Sequence, residues 1–323
     1  MSKSSLLHFC TLIACTLLLS ACQPKPQVNS IIAEPSYDAS LSPNASYLLV
    51  STTSNNLQLW DLQTQTLKYQ WLHGGQGGTA IDTALSDNLK YAASLSRDSV
   101  ALWNMEDGQP LGWWSLPATG QTLALANNGT LLIGLTDGSV MSLNHQTNTL
   151  IKFLGHSEKV NSVALSADGR WALSGGNDNQ VVLWQANTGQ PQRQWQLPSR
   201  VLQVSLSQDA SLAFAADSTD QAKIWQTQSG DAVSQLKIKR RTMNFSTARF
   251  TNNNLTLLTG TPAREVNVWR VTDGKMLANW QVTRTERAQI KGAVVYSVAE
   301  TPNGQIISFA SNGLLETWPM PQQ

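Results

Sequence analysis

Tryptophan returns along this 323-residue chain at a nearly constant interval. Trp60, Trp103, Trp184, Trp225, Trp269 and Trp318 each close a short alternating run: LQLW, VALW, VVLW, AKIW, VNVW and LETW. Leu143, in SVMSL, stands midway in the long gap between Trp103 and Trp184. The seven positions lie 43, 40, 41, 41, 44 and 49 residues apart. A period of about 40–45 residues, carried by alternating strands, is the length of one four-stranded propeller blade.

Two further series interlock with the first. Eleven residues after each of the first six anchors stands another large apolar residue: Trp71, Trp114, Leu154, Trp195, Leu236 and Trp280. Turn-forming stretches such as Glu106-Asp107-Gly108, Asn187-Thr188-Gly189 and Thr272-Asp273-Gly274 separate the two, which reads as strand, turn, strand. Ahead of the anchors run Ala84-Leu85-Ser86, Ala124-Leu125-Ala126 and Ala164-Leu165-Ser166, each followed by turn residues. The expectation is an all-β chain, a seven-bladed β-propeller of four-stranded antiparallel blades. After Trp318 only five residues remain, so the seventh blade lacks its outermost strand. The apolar-rich run Val28 to Ala33 is expected to supply it and close the ring, leaving no long open edge.

One segment carries a family resemblance. Residues 154–190, LGHSEKVNSVALSADGRWALSGGNDNQVVLWQANTGQ, closely resemble a WD40 repeat. They hold the Gly155-His156 pair, the Ser166-Ala167-Asp168-Gly169 turn, Asp178 six residues before the anchor, and Trp184. The resemblance implies a buried tetrad of His156, Ser174, Asp178 and Trp184 that ties the blade together. The other repeats are degenerate: only Trp60-Asp61 shows the literal dipeptide, and only this repeat has Gly-His. Similarity of this kind implies the fold and leaves the function open.

The N-terminus implies export. Lys3 gives a charged start, Leu6 to Leu19 an apolar stretch, and small residues follow. Leu19-Ser20-Ala21-Cys22 resembles the lipobox of bacterial lipoproteins, which implies cleavage before Cys22 and lipidation of that thiol. The expected domains are a signal at 1–22, a Pro-rich tether at 23–27 and the propeller at 28–323. Gln23, rather than Asp, after the Cys points to the outer membrane, at its periplasmic face. Cys10 and Cys15 leave with the signal, so the mature domain has no disulfide, Cys nucleophile or Cys metal site.

Catalytic signatures are missing. There is no G-x-S-x-G elbow and no S-x-x-K set. His73 opens the glycine-rich stretch 73–79, but no Gly-Lys-Ser/Thr follows, so a loop between blades is expected. His145 falls in a turn and is expected to face solvent. No two histidines share a ligand spacing with a carboxylate, and no metal or cofactor is expected. Most of the tryptophans fall on the repeat beats, where burial explains them.

Charge distribution suggests where a partner would bind. The chain has 22 basic and 21 acidic residues, so it is close to neutral and shows no footprint for nucleic acid. Yet Lys237 to Lys291 holds eleven Lys or Arg and only three acids. Lys239, Arg240, Arg241, Arg264, Arg284, Arg287 and Lys291 fall in loops expected on one face of neighbouring blades. The tether enters at the opposite face, so this basic patch is expected to point away from the membrane. The resulting expectation is a non-catalytic, lipid-anchored scaffold, monomeric, that binds envelope or periplasmic proteins of acidic character. The alternative is a propeller that binds a small molecule or sugar, or acts as an enzyme, in its central funnel. A funnel site predicts polar and aromatic residues at the channel mouth, whereas a scaffold predicts a channel lined by small residues.

Overall fold

The computed structural model describes residues 25–54, 56–74, 78–239, 243–284, 292–319 and 321. Its strands form seven four-stranded antiparallel sheets. Blade one comprises Ser36–Leu41, Tyr47–Thr52, Asn56–Asp61 and Thr66–Leu72, and blade two Asp82–Leu85, Tyr91–Leu95, Ser99–Asn104 and Pro110–Ser115. Blade three comprises Gly120–Leu125, Thr130–Leu135, Val140–Asn144 and Thr149–Phe153, and blade four Val160–Leu165, Trp171–Gly176, Gln180–Gln185 and Pro191–Gln196. Blade five comprises Val201–Leu206, Leu212–Asp217, Ala222–Gln226 and Ala232–Gln235. Blade six comprises Thr247–Phe250, Thr256–Gly260, Glu265–Arg270 and Met276–Gln281. Blade seven takes Val295–Glu300, Ile306–Ala310 and Leu314–Trp318 from the C-terminal end and Gln27–Ser30 from the N-terminal end.

That last strand closes the ring as the sequence predicts. Gln27 pairs with Thr317 and Ser30 with Leu314. Beyond the strand, the Ile31 and Ile32 amides both donate to the Gly313 carbonyl, at 3.1 and 3.2 Å. Gly313 has φ +78°, and a Cβ there would lie 2.0 Å from the Ile32 carbonyl oxygen. Only glycine permits this contact.

Seven apolar clusters hold the ring, and each bridges two neighbouring blades. Burying each large side chain in such a cluster stabilises by roughly 1.5–3 kcal/mol. The two apolar beats meet here. The outer-strand aromatic of one blade stacks on the anchor of the next: Trp71 on Trp103 at 5.2 Å, Phe153 on Trp184 at 4.4 Å, Trp195 on Trp225 at 5.1 Å, and Trp280 on Trp318 at 5.4 Å.

Blade three departs from the expected spacing. Leu154 is 74% exposed, and Phe153 is the buried residue on that strand. Blades one, two, four, five and six carry a one-residue register shift next to the anchor, between the third and fourth strands. In blade three the pairing runs without a break from Asn144 opposite Thr149 to Val140 opposite Phe153. Without the extra residue of a bulge, the second apolar position falls ten residues after Leu143 instead of eleven.

The strand directions define two faces. The upper face holds the loops that lead into each innermost strand and the turns between second and third strands. The lower face holds the remaining turns, which are tied blade to blade by backbone and amide contacts. The Asn88 amide donates to Asn127 Oδ1 at 2.7 Å, the Asn127 amide to Ala167 O at 2.9 Å, and the Ala167 amide to Gln208 O at 3.0 Å.

Candidate functional site

On blade four the structure brings the four family-implied residues together. Trp184 Nε1 donates to Ser174 Oγ at 3.3 Å, and Ser174 Oγ lies 2.8 Å from His156 Nε2. His156 Nδ1 lies 3.0 Å from Asp178 Oδ2, which also accepts the Ser157 amide at 3.1 Å. A tautomer protonated on Nδ1 satisfies every atom: indole to hydroxyl, hydroxyl to Nε2, Nδ1 to carboxylate. The network ties the loop leading into the blade to the turn before its anchor.

Other blades keep parts of this device. Trp269 Nε1 donates to Thr259 and Trp318 Nε1 to Ser308, each at 2.9 Å, from the position Ser174 occupies in blade four. Carboxylates replace His156–Asp178 in tying the entering loop to its blade. Glu34 accepts the Ser54 amide in blade one, Asp217 the Ser199 amide in blade five, and Glu316 the Thr283 amide in blade seven, at 3.1, 3.1 and 3.0 Å.

Two histidines differ from expectation. His73 does lie in the loop between blades one and two, yet it is 1% exposed, with Nδ1 2.6 Å from Ser94 Oγ and Nε2 3.1 Å from Ser99 Oγ. Ser99 in turn donates to Asp98 at 3.1 Å. Blade two therefore builds a longer version of the same network. The signal was the position of His73, thirty residues before Trp103 against twenty-eight for His156 and Trp184, and the glycines after it hid the match. Burial pushes the His73 imidazole down to about 4, against the opposing pull of the Asp98 charge. His145 is half-buried, against the edge of Tyr91 at 5.4 Å.

Of the seven basic candidates, Lys239, Arg264 and Arg284 belong to described loops, all on the upper face of blades six and seven. Lys239 and Arg284 are exposed. Arg264 is half-buried and donates to Val282 O at 3.0 Å and to Gln281 Oε1 at 3.3 Å. It therefore fastens its own loop. Arg240, Arg241, Arg287 and Lys291 lie outside the described residues, as does Cys22.

The innermost strands surround a channel cavity of about 380 Å³. Its upper ring is polar: Asp38, Asp82, Thr122, Ser162, Gln203 and Thr247 occupy matching register positions. Several stitch one blade to the next. Asp38 Oδ2 accepts the Thr83 amide at 2.8 Å and the Thr83 hydroxyl at 2.7 Å. Asp82 Oδ2 accepts the Leu123 amide at 2.7 Å, and Ser162 Oγ accepts the Val204 amide at 3.0 Å. Two residues further along each strand, Ser40, Ala84, Ala124, Ala164 and Ser205 form a ring of small side chains, which Arg249 interrupts. The channel thus combines both sequence expectations, a polar rim with Tyr296 and a middle of small residues.

Charge in this channel is poorly solvated. Desolvation raises Asp38 to about 6 despite its bonds to Thr83. Asp82 is raised well above the usual carboxylate range, first by desolvation and then by the Asp38 charge. The two titrate as a pair. Burial pushes the Tyr296 phenol up to about 12, with Asp38 adding to it. Burial also raises Asp87 and lowers Arg249, and each partly offsets the other's shift. No group of three or more His, Cys, Asp or Glu suited to a metal occurs among the described residues. Among those residues no helix is long and apolar enough to cross a membrane.

Comparison with known proteins agrees with this architecture. A relative described as cell division cycle 20.5, cofactor of APC complex, from Arabidopsis thaliana, is 28% identical over 171 residues, or 51% of this chain and 38% of that protein. Autophagy-related protein 16 of Arabidopsis thaliana is 24% identical over 144 residues, 44% of this chain and 28% of its own. Transducin-like enhancer protein 2 of Mus musculus is 24% identical over 172 residues, 51% of this chain and 22% of its own. The matched region spans well under half the length of these relatives. A chain in the crystal structure of the mitotic checkpoint complex superposes with a TM-score of 0.75 over 94% of both chains at 17% identity, a likeness of fold. The family model for the WD domain, G-beta repeat, matches residues 147–185, which are the outer strand of blade three and the first three strands of blade four. This chain therefore carries a WD40 repeat within a seven-bladed β-propeller.

Proposed function

We propose that this propeller is a non-catalytic protein-interaction scaffold, anchored by lipid on Cys22 to the outer membrane of a bacterium and facing the periplasm. The observation that carries the reading is the direction of the closing strand. Gln27 pairs at the lower end of Leu314–Trp318, so the chain joins the ring at the lower face. The loops holding Lys239 and Arg284 are on the other face. A Pro-rich tether of five residues spans roughly 15 Å, so a lipid on Cys22 holds the lower face near the bilayer and presents the upper face to partners. The relatives include proteins described as an APC-complex cofactor and a transducin-like enhancer, which supports a role built on protein contacts. The basic loops suit a partner with an acidic surface.

Crosslinking in the native envelope, read by mass spectrometry, tests this. The expected result is a specific set of envelope proteins captured by wild type and lost in the Arg240→Glu/Arg241→Glu variant. Cys22→Ser should release the folded protein from the membrane fraction. A capture list unchanged by the charge reversal overturns the basic face, and membrane retention of the Cys22 variant overturns the anchor.

A further inference from the structure

The channel holds four ionisable groups that no ion pair within 4 Å accounts for among the described residues. Asp38 Oδ2 and Asp82 Oδ1 both lie 2.8 Å from the amide nitrogen of Thr83, so two carboxyl groups converge on one N–H. Their other donors include the Thr83 hydroxyl and the Leu123 amide, both neutral, and no cation lies within 4 Å among the described residues. Buried carboxylates normally meet a cation or a full set of donors.

Arg249 faces the same cavity from the ring of small residues below. Its side chain passes blade seven to reach blade one, where Nη1 donates to Leu41 O at 2.9 Å. A guanidinium has five N–H donors in a planar fork, and Leu41 takes one of them. Asp87 lines the cavity too and softens the positive charge. The cavity is thus negative at its rim, and its positive group reaches the level of Leu41, three residues beyond Asp38 on the same strand.

We infer that the channel is a binding site for a small α-amino-acid-like zwitterion, its ammonium held by Asp38 and Asp82 and its carboxylate by Arg249. The dimensions agree. Three residues of strand rise about 10 Å, and charge-assisted hydrogen bonds of about 2.8 Å at either end take up more than half of that height. The ligand's two charges are therefore about 4 Å apart, as in a small amino acid. A cavity of about 380 Å³ lies at the small end of ligand sites, which run roughly 300–1,000 Å³. The site is independent of the scaffold reading, because it uses the channel wall and leaves the upper loops free.

The test is calorimetry and thermal melting of the mature, purified chain with each of the common amino acids. Methylamine and acetate serve as single-ended probes and glycerol as a neutral one. The expected result is binding of one or a few amino acids, with a melting temperature that rises with ligand concentration. Asp82→Asn and Arg249→Gln should each weaken binding at least tenfold, while methylamine and acetate bind far more weakly than the zwitterion. Ala124→Leu, which narrows the channel without changing its charge, should abolish binding and serves where a charge variant fails to fold. Three outcomes overturn the inference: no amino acid bound at about 10 mM, near the weak limit of useful affinity; equal binding of methylamine and insensitivity to Arg249→Gln; or glycerol bound as well as any amino acid.

Discussion

Blades two and four solve the same problem with different chemistry. In blade four, His156 bonds the Asp178 carboxylate directly, and the two side chains are 0% and 3% exposed. In blade two, His73 is equally enclosed, but Ser99 stands between it and Asp98. Asp98 is held below the usual carboxylate range by Ser96 and Ser99 of its own turn, with the His73 charge the smallest contribution. The acid of blade four depends on its histidine, whereas the acid of blade two is satisfied locally. The role of the network, tying loop to turn, outlives the residues that perform it elsewhere.

The sharpest way to break that comparison is to remove each histidine. His156→Ala leaves the enclosed Asp178 carboxylate without its main side-chain hydrogen-bond donor, which costs about 3 kcal/mol. His73→Ala strips two neutral hydroxyl contacts and leaves Asp98 at the surface, costing about 1–2 kcal/mol. Urea denaturation of both variants checks the difference, as a larger midpoint shift for His156→Ala at constant slope. Equal shifts would mean that Ser99 transmits the interaction as well as a direct bond does.

The contrast also explains what could be read in advance. The anchors, the ring and its closure follow from burial, because every blade must cover its neighbour with a large side chain at one place. The tetrad of blade four was readable because its four residues are all present. His73 was not, because its network runs through Ser99, a residue type too common to stand out. The channel charges were hidden for a different reason. Asp38, Asp82 and Arg249 lie in blades one, two and six, and only ring closure brings them to one cavity. The acidic positions look like ordinary strand beginnings until neighbouring blades set them side by side on the Thr83 amide.

Acid separates the blades in a second way. The histidine of blade two is held neutral, down to about 4 against an ordinary 6.5. Its contribution is present above pH 6.5, where folded and unfolded forms are both neutral, and is lost as pH falls toward 4, where the unfolded chain binds more protons. Asp38 has the opposite sense. Raised from 3.8 to about 6, it binds protons more tightly in the folded state, so its effect on stability improves as pH falls from above 6 toward 4. Asp82 acts in the same direction. Each effect is on the order of 1–3 kcal/mol, so the wild type should change little between pH 6.5 and 4.5. His73→Gln should grow more stable on acidification across that window and Asp38→Asn less stable, as read by denaturation midpoints. Parallel slopes in the two variants would show that these groups do not set the pH dependence.

The smallest effect of a single substitution is expected at Leu154, where blade three meets blade four. Leu154 stands on the apolar beat, yet the unbroken pairing of Thr149–Phe153 leaves it just beyond the strand, 74% exposed, and gives the stacking place on Trp184 to Phe153. Leu154→Ser should therefore change stability by no more than about 0.5 kcal/mol, as surface substitutions do. Phe153→Ala should cost about 3–5 kcal/mol. If the serine variant proves as damaging as the alanine variant, the bulge is present in blade three after all and the register must shift by one. A one-residue slip exchanges the faces of every side chain on the strand, so intermediate behaviour is not expected: the pair of melting curves assigns the register outright.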